Sequence, residues 1–95
     1  MGKKLRPRSV VLLTGYGPTG DIVIETSIPY EEYYDELNPL IDDDEYRARY
    51  GIRRLCGDIY NSSGELQSHF ENEYDQTGAI IHGKAVHADG TVTET

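Results

Sequence analysis

The chain has 95 residues, enough for one small domain with a modest core. Its formal net charge is −8, which disfavours direct nucleic-acid binding and favours a partner with a basic surface. A single cysteine, Cys56, excludes an intramolecular disulfide. No apolar run reaches the length of a membrane span or a signal core, so the expectation is a cytoplasmic protein with no membrane contact.

Residues 1–8 carry Lys3, Lys4, Arg6 and Arg8 and no acid, and are expected to be a basic flexible arm. Residues 9–95 are then a single small α+β domain. Val10 to Thr14 is β-branched and continuous, as a buried strand requires. Tyr16 to Gly20 turns the chain, and Ile22 to Thr26 returns as a second strand. Gly15-Tyr16-Gly17-Pro18-Thr19-Gly20 is not a phosphate loop. Asp21 and Ile22 stand where Lys and Ser or Thr must follow, and Pro18 removes an amide from the cradle.

Residues 28–50 change period. Ile28, Tyr30, Tyr33, Tyr34, Leu37, Leu40 and Ile41 recur at three and four, which predicts a helical insert. Ser27 is placed to cap it and Pro29 to sit in its first turn. Asn38-Pro39 is expected to stop or kink the helix, because proline disfavours helical geometry in the residue before it. A second short helix can start at Asp42, with Asp42 and Glu45 at capping-box spacing, Arg47 and Arg49 at its C-terminal end, and Gly51 as the stop.

From Ile52 onward the period is that of strands. In Leu66–Tyr74, Leu66, Ser68, Phe70, Asn72 and Tyr74 alternate with Gln67, His69, Glu71 and Glu73, giving one core face and one wet face. Ala79 to Val86 pairs back onto it, and Thr91 to Thr95 forms a short edge.

One phrase recurs: Tyr, three turn residues, Gly, any residue, then Leu or Ile. It reads Tyr60-Asn61-Ser62-Ser63-Gly64-Glu65-Leu66, Tyr74-Asp75-Gln76-Thr77-Gly78-Ala79-Ile80 and Tyr16-Gly17-Pro18-Thr19-Gly20-Asp21-Ile22. A degenerate copy without the Tyr is Val86-His87-Ala88-Asp89-Gly90-Thr91-Val92. Asn, Asp and Ser bend the backbone locally, Gly accepts positive φ, and the flanking Tyr and aliphatic residue face each other across two strands. The phrase resembles the YD repeat of RHS-type proteins over residues 58–95, with Tyr74-Asp75-Gln76-Thr77-Gly78-Ala79-Ile80 as its best copy. The resemblance implies successive hairpins. The whole is expected to be an antiparallel sheet of about five strands with the insert, residues 28–50, packed on one face.

No residues form a catalytic constellation, so the expectation is a non-enzymatic protein-binding module that needs no cofactor and acts as an inhibitor, immunity or accessory protein. The segment offered for partner binding holds Tyr30, Glu31, Tyr33, Tyr34, Asp35, Asp42, Asp43, Asp44 and Glu45, because acids with interleaved Tyr suit an amphipathic contact. His69, Glu71 and His82 share the wet face, where pairing around Asp75–Gly78 is expected to set Glu71 opposite His82 with His69 near both. Two imidazoles and a carboxylate are zinc-type ligands, but their spacing matches no ligand motif, so no metal is assigned. Cys56 reads as a small buried hydrophobe. The alternatives are mimicry of nucleic acid and a structural β-repeat piece that self-associates through an edge strand.

Overall fold

The computed structural model describes residues 9–95, so the arm expected at residues 1–8 lies outside the described residues. Four copies of the phrase make four hairpins. They join β1 (Val10–Tyr16) to β2 (Ile22–Pro29), β3 (Arg54–Tyr60) to β4 (Leu66–Tyr74), β4 to β5 (Ile80–His87), and β5 to β6 (Val92–Glu94). In each, one backbone pattern repeats. The Asp75 amide donates to the Ala79 carbonyl at 2.9 Å and the Gly78 amide to the Asp75 carbonyl at 3.0 Å, and the same two bonds form from Gly17, Asn61 and His87. The glycines close these turns at φ between 84° and 90°. Asp75 Oδ1 further accepts from the amides of Thr77 and Ala79, and Asn61 Oδ1 from those of Ser63 and Glu65. This is why Asp or Asn after the Tyr is favourable.

The flanking pairs form as the phrase requires: Tyr16 faces Ile22, Tyr60 faces Leu66 and Tyr74 faces Ile80. Beyond each pair one extra residue on the returning strand (Val23, Gln67, Ile81) makes a β-bulge. The degenerate copy pairs Val86 with Val92 without a bulge. It still turns, because Asp89 Oδ1 accepts from the Thr91 amide and Gly90 supplies the positive φ. The sheet therefore has six strands rather than five, all antiparallel, in the order β2-β1-β3-β4-β5-β6.

Between β2 and β3 the chain forms the insert: α1 (Tyr30–Glu32), a π-helical turn (Tyr33–Leu37), α2 (Asn38–Ile41) and α3 (Asp44–Arg49). Three expectations are corrected here. Ser27, Ile28 and Pro29 belong to β2, because β1 pairs them with Leu12, Val11 and Val10, and no side chain caps α1. Pro39 does not stop the helix. A proline in an α-helix clashes with the carbonyl four residues back and lacks the amide to bond it. The π turn widens that step, the Asn38 amide donates to the Tyr33 carbonyl, and α geometry resumes when the Asp42 amide donates to Asn38 at 2.9 Å. The capping box from Asp42 does not form: α3 starts after Asp43 with no side-chain cap. Its stop is as expected. Ile52 donates to the Arg47 carbonyl and Gly51 to that of Ala48, the two bonds of a Schellman motif.

The insert covers one sheet face. Tyr33 and Ile41 from the helices join Val11, Leu13, Leu55 and Tyr74 from the strands and Ile52 in one buried cluster. Where β3 offers Gly57 to this face, its register partner Phe70 lays its ring over the bare Cα. Arg47 fastens the layers. It is 5% exposed, its Nε and Nη2 donate to the Gly78 carbonyl at 2.9 and 2.7 Å, and its Nη1 donates to the Ile41 carbonyl at 2.8 Å. Its guanidinium also stands 4.2 Å from the centre of the Tyr74 ring.

Gly78 is thereby constrained twice, by its φ of +85° and because a Cβ there meets the carbonyl of Asp44. At Gly64, φ is +84° with nothing nearby. Gly64→Ala is expected to cost about 1–2 kcal/mol for the left-handed backbone alone. Gly78→Ala is expected to cost about 1–3 kcal/mol more, for displacing α3. Urea denaturation of both variants checks this, and equal losses would contradict the close approach.

Candidate functional site

Two surfaces carry chemistry, one on the uncovered sheet face and one on the insert. On the sheet face, alternation sends Arg54, Cys56 and Asp58 of β3 outward beside His69, Glu71 and Glu73 of β4 and His82, Lys84 and Val86 of β5. The registers are Asp58 with His69, Cys56 with Glu71 and Glu73 with His82. His82 therefore stands opposite Glu73, where the sequence reading placed Glu71. Without the extra residue at Ile81 the Tyr74–Ile80 pair would set His82 opposite Asn72 on the covered face, and the bulge turns it to the wet face. A shallow concavity of about 380 Å³ is lined by His69, Glu71, Glu73, His82, Lys84 and Val86.

His69 is at the centre of a chain of ion pairs. Its Nδ1 lies 2.6 Å from Asp58 Oδ1 and its Nε2 3.0 Å from Glu71 Oε2, while Arg54 Nη2 donates to Glu71 Oε1 at 2.8 Å. Both ring nitrogens face carboxylate oxygens, and both contacts are satisfied only when the imidazole holds two protons and donates from each. Glu71 and then Asp58 accordingly raise the His69 pKa, and His69 and then Arg54 hold the Glu71 carboxyl below its usual range. His82 Nε2 is drawn instead to Glu94 Oε2, 3.1 Å away. The expected trio His69, Glu71 and His82 is thus divided between two sets of partners. Among the described residues no group of three or more His, Cys, Asp or Glu side chains is placed to hold a metal ion.

Cys56 is half-buried on this outer face, not in the core. Burial pushes its thiol pKa up in spite of the nearby Arg54, which leaves it a poor nucleophile.

On the insert, the partner-binding segment divides. Tyr34 is 60% exposed and its ring stacks on that of Tyr30, 6.2 Å between centres. Glu31, Asp35, Asp42, Asp43, Asp44 and Glu45 are exposed, with Asp44 Oδ1 accepting from Arg47 Nη2 at 2.6 Å. Tyr33 is separate. It is buried, its hydroxyl donates to Asn38 Oδ1 at 3.3 Å, and burial, with Tyr74 next, pushes its pKa up to about 12. Its ring belongs to the core. Below the insert, Ile24, Thr26 and Ile28 of β2 and Leu37, Leu40 and Tyr46 line a groove of about 380 Å³ flanked by Glu32 and Glu36.

The sequence reading gave no role to this groove, to Asp58 as a partner of His69 and Arg54 as a partner of Glu71, or to the burial of Arg47. The first follows from the insert folding back over β2, and the second from the strand register that the Tyr60–Leu66 pair and its bulge set. The third had no sequence signal, because an Arg in a last helical turn reads equally well as a solvated cation.

No protein-family model, no curated protein and no solved structure matches the chain. Among the described residues no helix is long and apolar enough to cross a membrane.

The raised His69 pKa has a definite sign. A folded-state pKa above the unfolded value of about 6.5 contributes stability that is fully present below pH 6.5 and is lost as pH rises through the folded pKa. The lowered Glu71 pKa contributes stability that is present above about 4.5 and is lost as pH falls through its folded pKa. NMR titration of the imidazole Cε1 proton is expected to give His69 a pKa above 6.5, falling on Glu71→Gln or Asp58→Asn. An unchanged midpoint in both variants would contradict the network.

Proposed function

We propose that this chain is a non-enzymatic docking module that binds a protein with a basic surface, in the manner of an inhibitor, immunity or accessory protein. The observation that carries this reading is the fate of the cations near the insert. Residues 21–46 include ten acids (Asp21, Glu25, Glu31, Glu32, Asp35, Glu36, Asp42, Asp43, Asp44, Glu45) and no Lys or Arg. The next residue, Arg47, is buried and bonded to main-chain carbonyls, so it offsets little of that charge at the surface, and among the described residues Arg49 at the end of α3 is the one exposed cation of the insert. The insert is thus a negatively charged ledge with apolar Tyr34 and Leu40 exposed among its carboxylates. Such a surface attracts basic partners over distances near the Debye length and gives them aromatic area to bury on contact.

The full chain, immobilised, is expected to retain a host protein at about 50 mM salt and release it by about 500 mM, as screening of exposed charges requires. Cross-links should map to residues 30–46, and Asp42→Asn/Asp43→Asn/Glu45→Gln should weaken retention at least about tenfold, the effect of about 1.4 kcal/mol. Retention that is indifferent to salt and to these substitutions would overturn the reading. Release by competing duplex DNA would assign the ledge to mimicry of nucleic acid instead.

A further inference from the structure

β2 is an edge strand of eight residues, and among the described residues β1 alone pairs with it. Its hydrogen-bond alternation is fixed at one end, where the Tyr30 amide donates to the Ser9 carbonyl at 2.8 Å. Continuing that pattern along the register, Ile24, Thr26 and Ile28 bond to β1 opposite Gly15, Leu13 and Val11. Glu25 and Ser27, the residues between them, therefore turn their amides and carbonyls to the open edge. Pro29 has no amide to offer, so growth of the sheet on this side is limited to Ser27 and the residues before it.

The groove runs alongside this edge. The side chains of Ile24, Thr26 and Ile28 form one wall, Leu37 and Leu40 the other, and Glu32 and Glu36 stand over it. Glu25 faces out from the opposite side of the strand. A strand added to β2 places alternate side chains into the groove and the rest on the outer face. We infer that β2 and this groove bind an extended, basic segment of the partner protein by strand addition, with apolar side chains entering toward Leu37 and Leu40 and Lys or Arg meeting Glu32, Glu36 and Glu25. Main-chain bonds to Glu25 and Ser27 hold the segment, and the carboxylates select its charge. A second copy of this chain is a poor occupant, because it sets the same three glutamates against themselves. The inference rests on the docking reading and adds its geometry.

The test is titration of the isotope-labelled full chain with a short end-blocked peptide of alternating lysine and valine, followed by NMR and amide hydrogen exchange. Expected are shifts confined to β2 and residues 32–40, slowed exchange at the Glu25 and Ser27 amides, and at least fivefold weaker binding in both Ser27→Pro and Glu32→Gln/Glu36→Gln. The one amide that Ser27→Pro removes faces the open edge, while the proline ring also restricts φ at 27 and the backbone of Thr26. The paired Gln variant leaves the backbone untouched and serves if the proline variant is unfolded. No binding, shifts elsewhere, equal binding of a glutamate–valine peptide, or pairing of β2 with β2 in a dimer would each overturn the inference. If host-protein capture stays salt-sensitive while the peptide fails, strand addition is lost and the docking reading survives.

Discussion

The guanidinium of Arg47 donates to main-chain carbonyls on both sides of the interlayer space, Gly78 in the sheet's third hairpin and Ile41 at the end of α2. Both carbonyls accept from Arg47, and a buried carbonyl left without a donor costs about 1–3 kcal/mol. Its charge is balanced by those two dipoles, by the face of Tyr74 and by Asp44, whose carboxylate remains in water. Arginine suits this place because its planar fork addresses several acceptors at once, which a lysine ammonium on its flexible stem does not. The same contacts hold α3 so close to Gly78 that a side chain there has no room. The acidic ledge stands on this clasp. With α3 undocked, its carboxylates would no longer be held at fixed positions over the sheet.

The hairpins were legible in the sequence because their causes are local. Glycine after Asp-Gln-Thr or Asn-Ser-Ser acts within a few residues, and the Tyr-to-aliphatic pairing follows from it. The copy that had lost its Tyr still turns, and so does Gly17-Pro18-Thr19-Gly20 without an Asx residue, so the Gly common to all four directs the reversal while the Tyr contributes packing. The inward face of β4, from Phe70 to Tyr74, was equally plain from alternation.

What could not be read was set by partners distant in sequence. The start of the insert moved from Ile28 to Tyr30 because β1 claims Ser27 through Pro29 as ladder partners. Helical periodicity around Ile28 was real, yet pairing with Val11 prevailed. Asn38-Pro39 does not stop the helix, since a π turn precedes it and helical bonding resumes beyond it. Between β4 and β5, the bulge at Ile81 decides whether Asn72 on the covered face or Glu73 on the wet face is opposite His82, and bulges leave no composition signal strong enough to place them. The groove beside β2 combines residues from five elements within residues 24–46, and how those elements fold back on one another is not written in their local pattern.

The most direct test of this account is native-state hydrogen exchange, with a urea melt, on Arg47→Met. Methionine keeps the apolar stem and removes every donor. The account predicts a loss of about 2–4 kcal/mol from the two orphaned carbonyls and the vacated ring face. It also predicts loss of amide protection in residues 30–49 and around Gly78, while β1 and β3 remain the slowest to exchange. A variant as stable as the parent, with the insert still protected, would contradict the clasp on which the whole arrangement is argued to depend.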